Sequence, residues 1–132
     1  MQKNDFKVIL NHIKDEIKTT QYKVAVQSNI SLISMYFRLG KILNDNYKYG
    51  NKFIDEVSKD LKIEFPNSTG FSVRNLKYMK KFYLEYKDDE LMQQLVAQVP
   101  WRHNIVLMKK MKEEEKRNND SGKSLPSMSI NW

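Results

Sequence analysis

Apolar residues recur along this chain at intervals of three and four, the spacing of helices that bury one face. The first stretch predicts a helix capped by Asn4 or Asp5, with a narrow apolar stripe of Phe6, Ile9, Leu10, Ile13 and Ile17. Residues 21 to about 47 carry apolar side chains on a wider arc, which predicts a central helix contacted from several sides. One line of that arc comprises Tyr22, Val26, Ile30, Ile33 and Phe37. No segment alternates with the period of a strand, so the pattern predicts an all-α fold, a compact bundle of five or six helices.

Glycines mark special positions in this pattern. Gly40 lies inside the central helix, where glycine costs about 1 kcal/mol relative to alanine, so we expect another helix to cross closely there. Gly50 follows the polar stretch after the central helix and is available for a left-handed cap. The next helix, about 52–65, is predicted to bury Phe53, Ile54, Val57, Leu61 and Phe65.

Pro66 and Gly70 interrupt the helical pattern before a new helix begins. Proline lacks the amide proton, and glycine tolerates positive φ, so we expect a tight turn with Gly70 at positive φ. Ser72 is placed to cap the next helix, and Phe71 to pack against its first turn at Leu76. The buried face of that helix is predicted to comprise Leu76, Met79, Phe82, Tyr83 and Tyr86.

The opposite face of the same helix is basic. Arg74, Lys77 and Lys81 are spaced three and four apart, and Lys80 and Lys87 flank the apolar stripe. A short helix, a glycine-containing turn and a second helix with cations near its start are typical of a helix-turn-helix-like nucleic-acid reader. A solvated lysine face on a bundle helix would give the same pattern.

The last third predicts two more helices and a tail. An acidic cluster at 88–90 suits the start of a helix over about 91–99, which Pro100 ends. The segment from Trp101 is expected to lose its helical pattern in the charge run 109–117. Residues 118–132 show no periodicity and predict a disordered tail, so the domain is expected to span residues 1–117.

The composition of the chain narrows the classes of partner that it is expected to bind. The net charge of +7 favours polyanions, nucleic acid first and an anionic membrane surface second. The chain has no cysteine, which excludes disulfides and thiolate metal sites and fits a reducing compartment. Neither a membrane-spanning run nor a signal-type apolar segment is visible, so we expect a soluble, cytoplasmic protein without a membrane role.

Two stretches resemble a known family. GFSVRNLKYM at 70–79 and VPWRHN at 99–104 are similar to paired motifs in the N-terminal domain of the bacterial YhcG family, whose members carry a predicted PD-(D/E)XK nuclease domain. Asn29, Gly40, Gly50 and Leu61 also stand where that family's pattern places them. The resemblance covers residues 1 to about 112. It implies a helical module that binds nucleic acid and accompanies a nuclease.

The sequence offers little evidence for a catalytic site. Because the sequence stops at Trp132, where the family continues into its nuclease, we expect the catalytic domain to be missing and this chain not to be an enzyme. Glu114-Glu115-Lys116 mimics an E-x-K fragment but lies in a charge run without a partner aspartate. His12 and His103 are too few for a metal set, and no cofactor site is evident. Trp101 and His103 allow two interpretations. Either they stabilise the start of the last helix, or they contact nucleic acid.

Two functions from different classes follow. The first is a DNA-binding module in which the side chains facing double-stranded DNA are Ser72, Arg74, Lys77, Tyr78 and Lys81. Phosphate contacts would then supply most of the affinity, with Arg74 as the base reader. The second is a protein-interaction module that self-associates or docks a nuclease partner, with no direct role for its basic face.

Overall fold

A computed structural model of the chain describes residues 3–20 and 28–120. Every regular element in these ranges is helical, which confirms the predicted all-α class with six α-helices. They are α1 Lys3–Thr19, α2 Asn29–Asp45, α3 Gly50–Glu64, α4 Val73–Tyr86, α5 Glu90–Val96 and α6 Trp101–Asp120, with a short 3₁₀ helix, Tyr47–Tyr49, between α2 and α3. The chain divides into two compact units, residues 1–100 and 101–132.

The core of the first unit forms where α2 packs along α4, the most extensive helix pair. Both helices present the apolar faces predicted for them, and α1 and α3 add theirs. The side chains with almost no exposed surface include Ile13, Ile17, Ile33, Leu39, Leu43, Phe53, Val57 and Leu61. Ile30 was predicted to lie in this core, and that prediction is wrong, because 56% of its surface is exposed near the start of α2.

Gly40 lies where α2 crosses α4. A Cβ atom at this position would lie 2.0 Å from the carbonyl oxygen of Met79 and 3.1 Å from the Cβ of Tyr83. The neighbouring helix therefore approaches so closely that only a residue without a side chain fits. The close crossing predicted from the sequence is confirmed.

Several predicted helix ends are wrong. Asn4 and Asp5 lie inside α1, which has already begun at Lys3. The central helix α2 begins at Asn29, after Ser28, whose backbone is extended with φ −113° and ψ 109°, so it does not run unbroken from residue 21 as predicted. Residues 21–27 lie outside the described part of the chain. The predicted core positions Tyr22 and Val26 lie outside the described residues.

The final helix is longer than the sequence pattern indicated. α6 runs through the charge run and ends at Asp120, so residues 118–120, predicted to begin the tail, are helical. Glu113 is four residues from both Lys109 and Arg117, the spacing at which opposite charges support a helix. The remaining tail residues, 121–132, lie outside the described part of the chain.

Asn29, at the start of α2, forms hydrogen bonds with the backbone at the C-terminal end of α5. Its side-chain amide donates to the carbonyl oxygens of Ala97 at 3.1 Å and Val99 at 3.0 Å. These carbonyls follow the last residue of α5, where backbone acceptors need partners. α5 itself begins as predicted from the acidic cluster, because the Asp89 carboxylate accepts from the Met92 amide at 3.0 Å.

Candidate nucleic-acid interface

Ser72 starts α4 as the sequence predicted. Its backbone is extended, and its hydroxyl oxygen accepts a hydrogen bond from the Asn75 amide at 3.1 Å. This bond satisfies one of the four amides that a helix leaves without a partner at its N-terminus. The cap therefore fixes where the basic helix begins.

Two further side chains hold the turn that precedes α4. The buried hydroxyl of Ser58, on α3, donates to the carbonyl oxygen of Phe71 at 2.6 Å. The side-chain amide of Asn75 donates to the carbonyl oxygen of Gly70 at 2.7 Å. Sequence reasoning missed both bonds, although a serine within the apolar face of α3 was a visible signal.

Gly70 does not have the backbone conformation predicted for it. Among the described residues, Gly50 is the glycine with positive φ, at 79°, and Gly70 is not. Gly70 is instead buried, and its carbonyl group is held by Asn75. The turn is thus stabilised by side-chain hydrogen bonds rather than by a left-handed glycine.

The connection between α3 and α4 is also longer than a short turn. It comprises residues 65–72, whereas helix-turn-helix proteins join their helices through three to four residues. The helix-turn-helix-like unit therefore stays a prediction.

The buried face of α4 determines the direction of the opposite face. Leu76, Met79, Phe82 and Tyr86 are buried as predicted, while Tyr83 is half-buried. Phe37 on α2 meets the Phe82 ring edge to face, with ring centres 6.1 Å apart. With four side chains on one side of the helix held in the core, positions about 180° away face solvent.

Three cations occupy that solvent face. Arg74 and Lys77 are exposed, Lys81 is half-buried, and the Arg74 guanidinium lies 5.6 Å from the ring centre of the half-buried Tyr78. Within the described residues, none of the three cations forms an ion pair. Elsewhere cations are paired with carboxylates, as in Lys18–Glu64 at 3.1 Å and Arg38–Glu16 at 2.7 Å. We call Arg74, Lys77 and Lys81 the basic face of α4.

Lys80 lies beside the basic face and contacts a different element. Its ammonium is 3.1 Å from the ring centre of Tyr47, in the 3₁₀ helix. Partial burial lowers the pKa of Lys80 from its usual value, because the charged form loses hydration. Glu85 is the one acidic residue of α4, so with Arg74, Lys77, Lys80 and Lys81 the helix has a net charge of +3.

The basic face of α4 offers the chemistry of anion binding. Among the described residues no group of three histidine, aspartate or glutamate side chains is placed to hold a metal ion. Glu114-Glu115-Lys116 lies on the helix α6, His12 lies on α1, and His103 lies in the first turn of α6 with Trp101. None of the described helices combines the length and apolarity needed to cross a membrane.

Comparison with known proteins supports the motif resemblance. The family model of the DUF1016 N-terminal domain matches residues 12–120, a range that contains both motifs and all five predicted site residues. No curated protein and no solved structure matches the chain significantly. The resemblance to the N-terminal region of YhcG-like proteins is confirmed. The chain belongs to the DUF1016 N-terminal domain family.

Proposed function

We propose that the chain binds DNA through the basic face of α4, as a module that accompanies a nuclease. The observation that supports this most directly is the set of three cations on one solvent face, none of which is paired with a carboxylate in the described residues. Cations without internal partners are free to replace the counterions of a phosphate backbone. The chain belongs to the DUF1016 N-terminal domain family, and its resemblance to YhcG-like proteins implies a neighbouring nuclease. This supports the second part of the proposal, that the module accompanies a nuclease.

Each residue of the face has a distinct task in this proposal. Lys77 and Lys81 contact phosphates as point charges, and the Ser72 hydroxyl, which accepts from Asn75, still has a proton to donate to a phosphate oxygen. Arg74 is the base reader, because a guanidinium can donate two parallel hydrogen bonds to guanine in the major groove. Tyr78 supports Arg74 through its ring.

The length of α4 and the direction of its helix dipole are compatible with binding to a DNA duplex. The 14 residues of α4 form a rod about 21 Å long, and the major groove, about 12 Å wide, admits an α-helix. The N-terminus of α4, where Ser72 and Arg74 lie, is also the positive end of the helix dipole. Cations and dipole therefore attract phosphate at the same end of the helix.

Salt dependence of binding to a blunt duplex tests the proposal. If Lys77 and Lys81 neutralise two phosphates, the slope of log affinity against log salt is about −1.8, so raising salt from about 50 to 200 mM lowers affinity about 12-fold. Fluorescence anisotropy of a labelled duplex measures this directly. Affinity that does not change across the range, or no binding at the lowest salt, would contradict the proposal.

A second function is supported by a different surface. Leu91 and Leu95 lie four residues apart on α5 and are 67% and 46% exposed. Contiguous apolar patches mark protein-interaction sites, and these two leucines lie on one face of the helix. If the chain self-associates through them, sedimentation equilibrium will show a dimer that the double substitution Leu91→Gln and Leu95→Gln converts to a monomer. A wild-type monomer at all concentrations would exclude this function.

A further inference from the structure

A second group of cations and aromatic rings lies next to the basic face. The 3₁₀ helix Tyr47–Tyr49 joins α2 to α3 and contacts α4 through the ammonium of Lys80, 3.1 Å from the Tyr47 ring centre. Lys48, in the same short helix, has its ammonium 5.2 Å from the ring centre of Tyr49. We call Tyr47, Lys48 and Lys80 the aromatic-basic cluster.

The cluster is accessible from solvent. Tyr47 keeps 42% of its surface exposed although Lys80 covers part of its ring, and Lys48 is exposed. Beside it, a Cβ atom on Gly50 would meet no atom within 4 Å, so the backbone there is open to a ligand. A partner of appreciable size can therefore reach the ring and Lys48, while Lys80 is half-buried beside the ring.

The surroundings of the cluster favour an anion. The nearest acidic residue before it in the chain, Asp45, is paired with Lys41 at 3.6 Å, and no acidic residue occurs between Asn46 and Ile54. Lys80 is also one helical turn from Lys77, so the cluster adjoins the basic face of α4. Lys77 and Lys80 thus link the basic face of α4 to the 3₁₀ helix, and phosphates lying along α4 would continue toward it.

Exposed tyrosine among cations is the chemistry of single-stranded nucleic acid recognition. Aromatic rings stack on any unpaired base, whereas bases within an intact duplex are already stacked on their neighbours. Cations alongside the ring follow the phosphates of the same strand.

We propose that the aromatic-basic cluster binds unpaired bases of a single-stranded DNA segment continuous with the duplex held by α4, with Tyr47 as the stacking residue. This inference rests on the proposed function, since it takes the basic face as the duplex site. The preferred ligand is then a duplex with a single-stranded extension. Lys48 and Lys80 hold the phosphates of that extension while the Tyr47 ring stacks on a base.

The test compares a blunt duplex with the same duplex carrying a short single-stranded extension. We expect the extended ligand to bind about tenfold more tightly, a gain of the size that stacking one base supplies. Tyr47→Leu should remove this preference and leave the affinity for blunt duplex unchanged, whereas Tyr47→Phe, which keeps the ring, should retain it. A 2-aminopurine base in the extension should be quenched by the wild type and by Tyr47→Phe but not by Tyr47→Leu.

The outcomes separate this inference from the function on which it rests. Equal, salt-dependent binding of both ligands by the wild type would overturn the cluster's role and leave the proposed function standing. Absence of binding to either ligand would overturn both. If Tyr47→Leu lowers both affinities equally, Tyr47 acts only by holding Lys80, and stacking is refuted. Should Tyr47→Leu fail to fold, Lys48→Gln, at an exposed position, must weaken the extended ligand selectively.

Discussion

Arg74 differs from its neighbours in the stretch GFSVRNLKYM. Five other residues of the matching motif have structural contacts: Ser72 and Asn75 form hydrogen bonds, and Phe71, Leu76 and Met79 are buried. Arg74 is exposed, and its guanidinium lies 5.6 Å from the ring centre of Tyr78. An exposed motif residue that takes no part in the core, a property that Arg74 shares with Lys77, is the strongest candidate for a functional contact.

Ser72 combines a structural and a functional role that substitution can separate. Ser72→Asp keeps a capping oxygen and adds a negative charge where the helix dipole favours one, so the melting temperature should be unchanged or raised. The same charge would face phosphate, so DNA affinity should fall several-fold. Ser72→Asn, a neutral cap, is the matched control and should change neither quantity. Unaltered DNA binding by Ser72→Asp would remove the start of α4 from the interface.

Gly40 offers a test of the helix crossing that positions α4. Gly40→Ala brings a Cβ atom to 2.0 Å from the Met79 carbonyl oxygen, which cannot move without shifting the helix backbone. Such overpacking should lower the free energy of unfolding by about 3 kcal/mol, measured by urea denaturation. Tyr83→Ala in the same chain should not restore stability, because the closest contact is with backbone. Helix propensity alone predicts the opposite sign, a gain of about 1 kcal/mol, and observing it would disprove the close crossing.

Tyr86 makes stability depend on pH in the alkaline range. Burial, and to a smaller extent the charge of Glu85, raises the pKa of Tyr86 from 10.0 to about 12. The unfolded chain therefore releases this proton at lower pH than the folded chain does. The stability linked to Tyr86 is complete below about pH 10 and is lost as pH rises toward 12. Unfolding free energies between these values should fall more steeply for the wild type than for Tyr86→Phe, and parallel curves would contradict the assignment.

At the scale of elements, helical periodicity predicted most of the architecture. The buried faces of α3 and α4, the cap at Ser72, the start of α5 at the acidic cluster, and the crossing at Gly40 all follow from local residue types. Each depends on a neighbour three or four positions away in sequence, or on the absence of a side chain. Such features are visible in a single sequence.

The features that the sequence did not predict depend on contacts between residues that are distant in sequence. The bond from Ser58 to the Phe71 carbonyl and those from Asn29 to Ala97 and Val99 require knowledge of which elements meet. Gly70 was assigned positive φ because glycine permits it, whereas burial and a hydrogen bond to its carbonyl hold it in another conformation. The cations of the basic face were identified from spacing, but the contact between Lys80 and Tyr47 joins separate elements and was not.

For the whole molecule, the positive charge is unevenly distributed. α4 contributes +3 of the net +7, more than any other helix, and α3 beside it has a slight excess of acidic residues. A concentrated charge orients a polyanion, whereas a dispersed one only attracts it. A module that accompanies a nuclease would act in this way, by orienting the DNA that it binds.

The chain is expected to bind DNA without cutting it. The described residues present no carboxylate cluster for a metal ion, and the E-x-K spacing at 114–116 lies on a helix. Plasmid incubated with the purified chain and magnesium or manganese should be recovered intact. Cleavage by the wild type that is lost in Glu115→Ala would show instead that the charge run of α6 is catalytic.

The most direct test of the basic face compares two triple substitutions with the same change in charge. One is Arg74→Glu, Lys77→Glu and Lys81→Glu, and the other is Lys7→Glu, Lys59→Glu and Lys62→Glu at exposed positions of α1 and α3. Each lowers the net charge from +7 to +1. At about 50 mM salt, with circular dichroism confirming that both remain folded, the first should abolish duplex binding and the second should weaken it only modestly. Equal losses in both variants, or binding that survives the first, would contradict the assignment of DNA binding to α4.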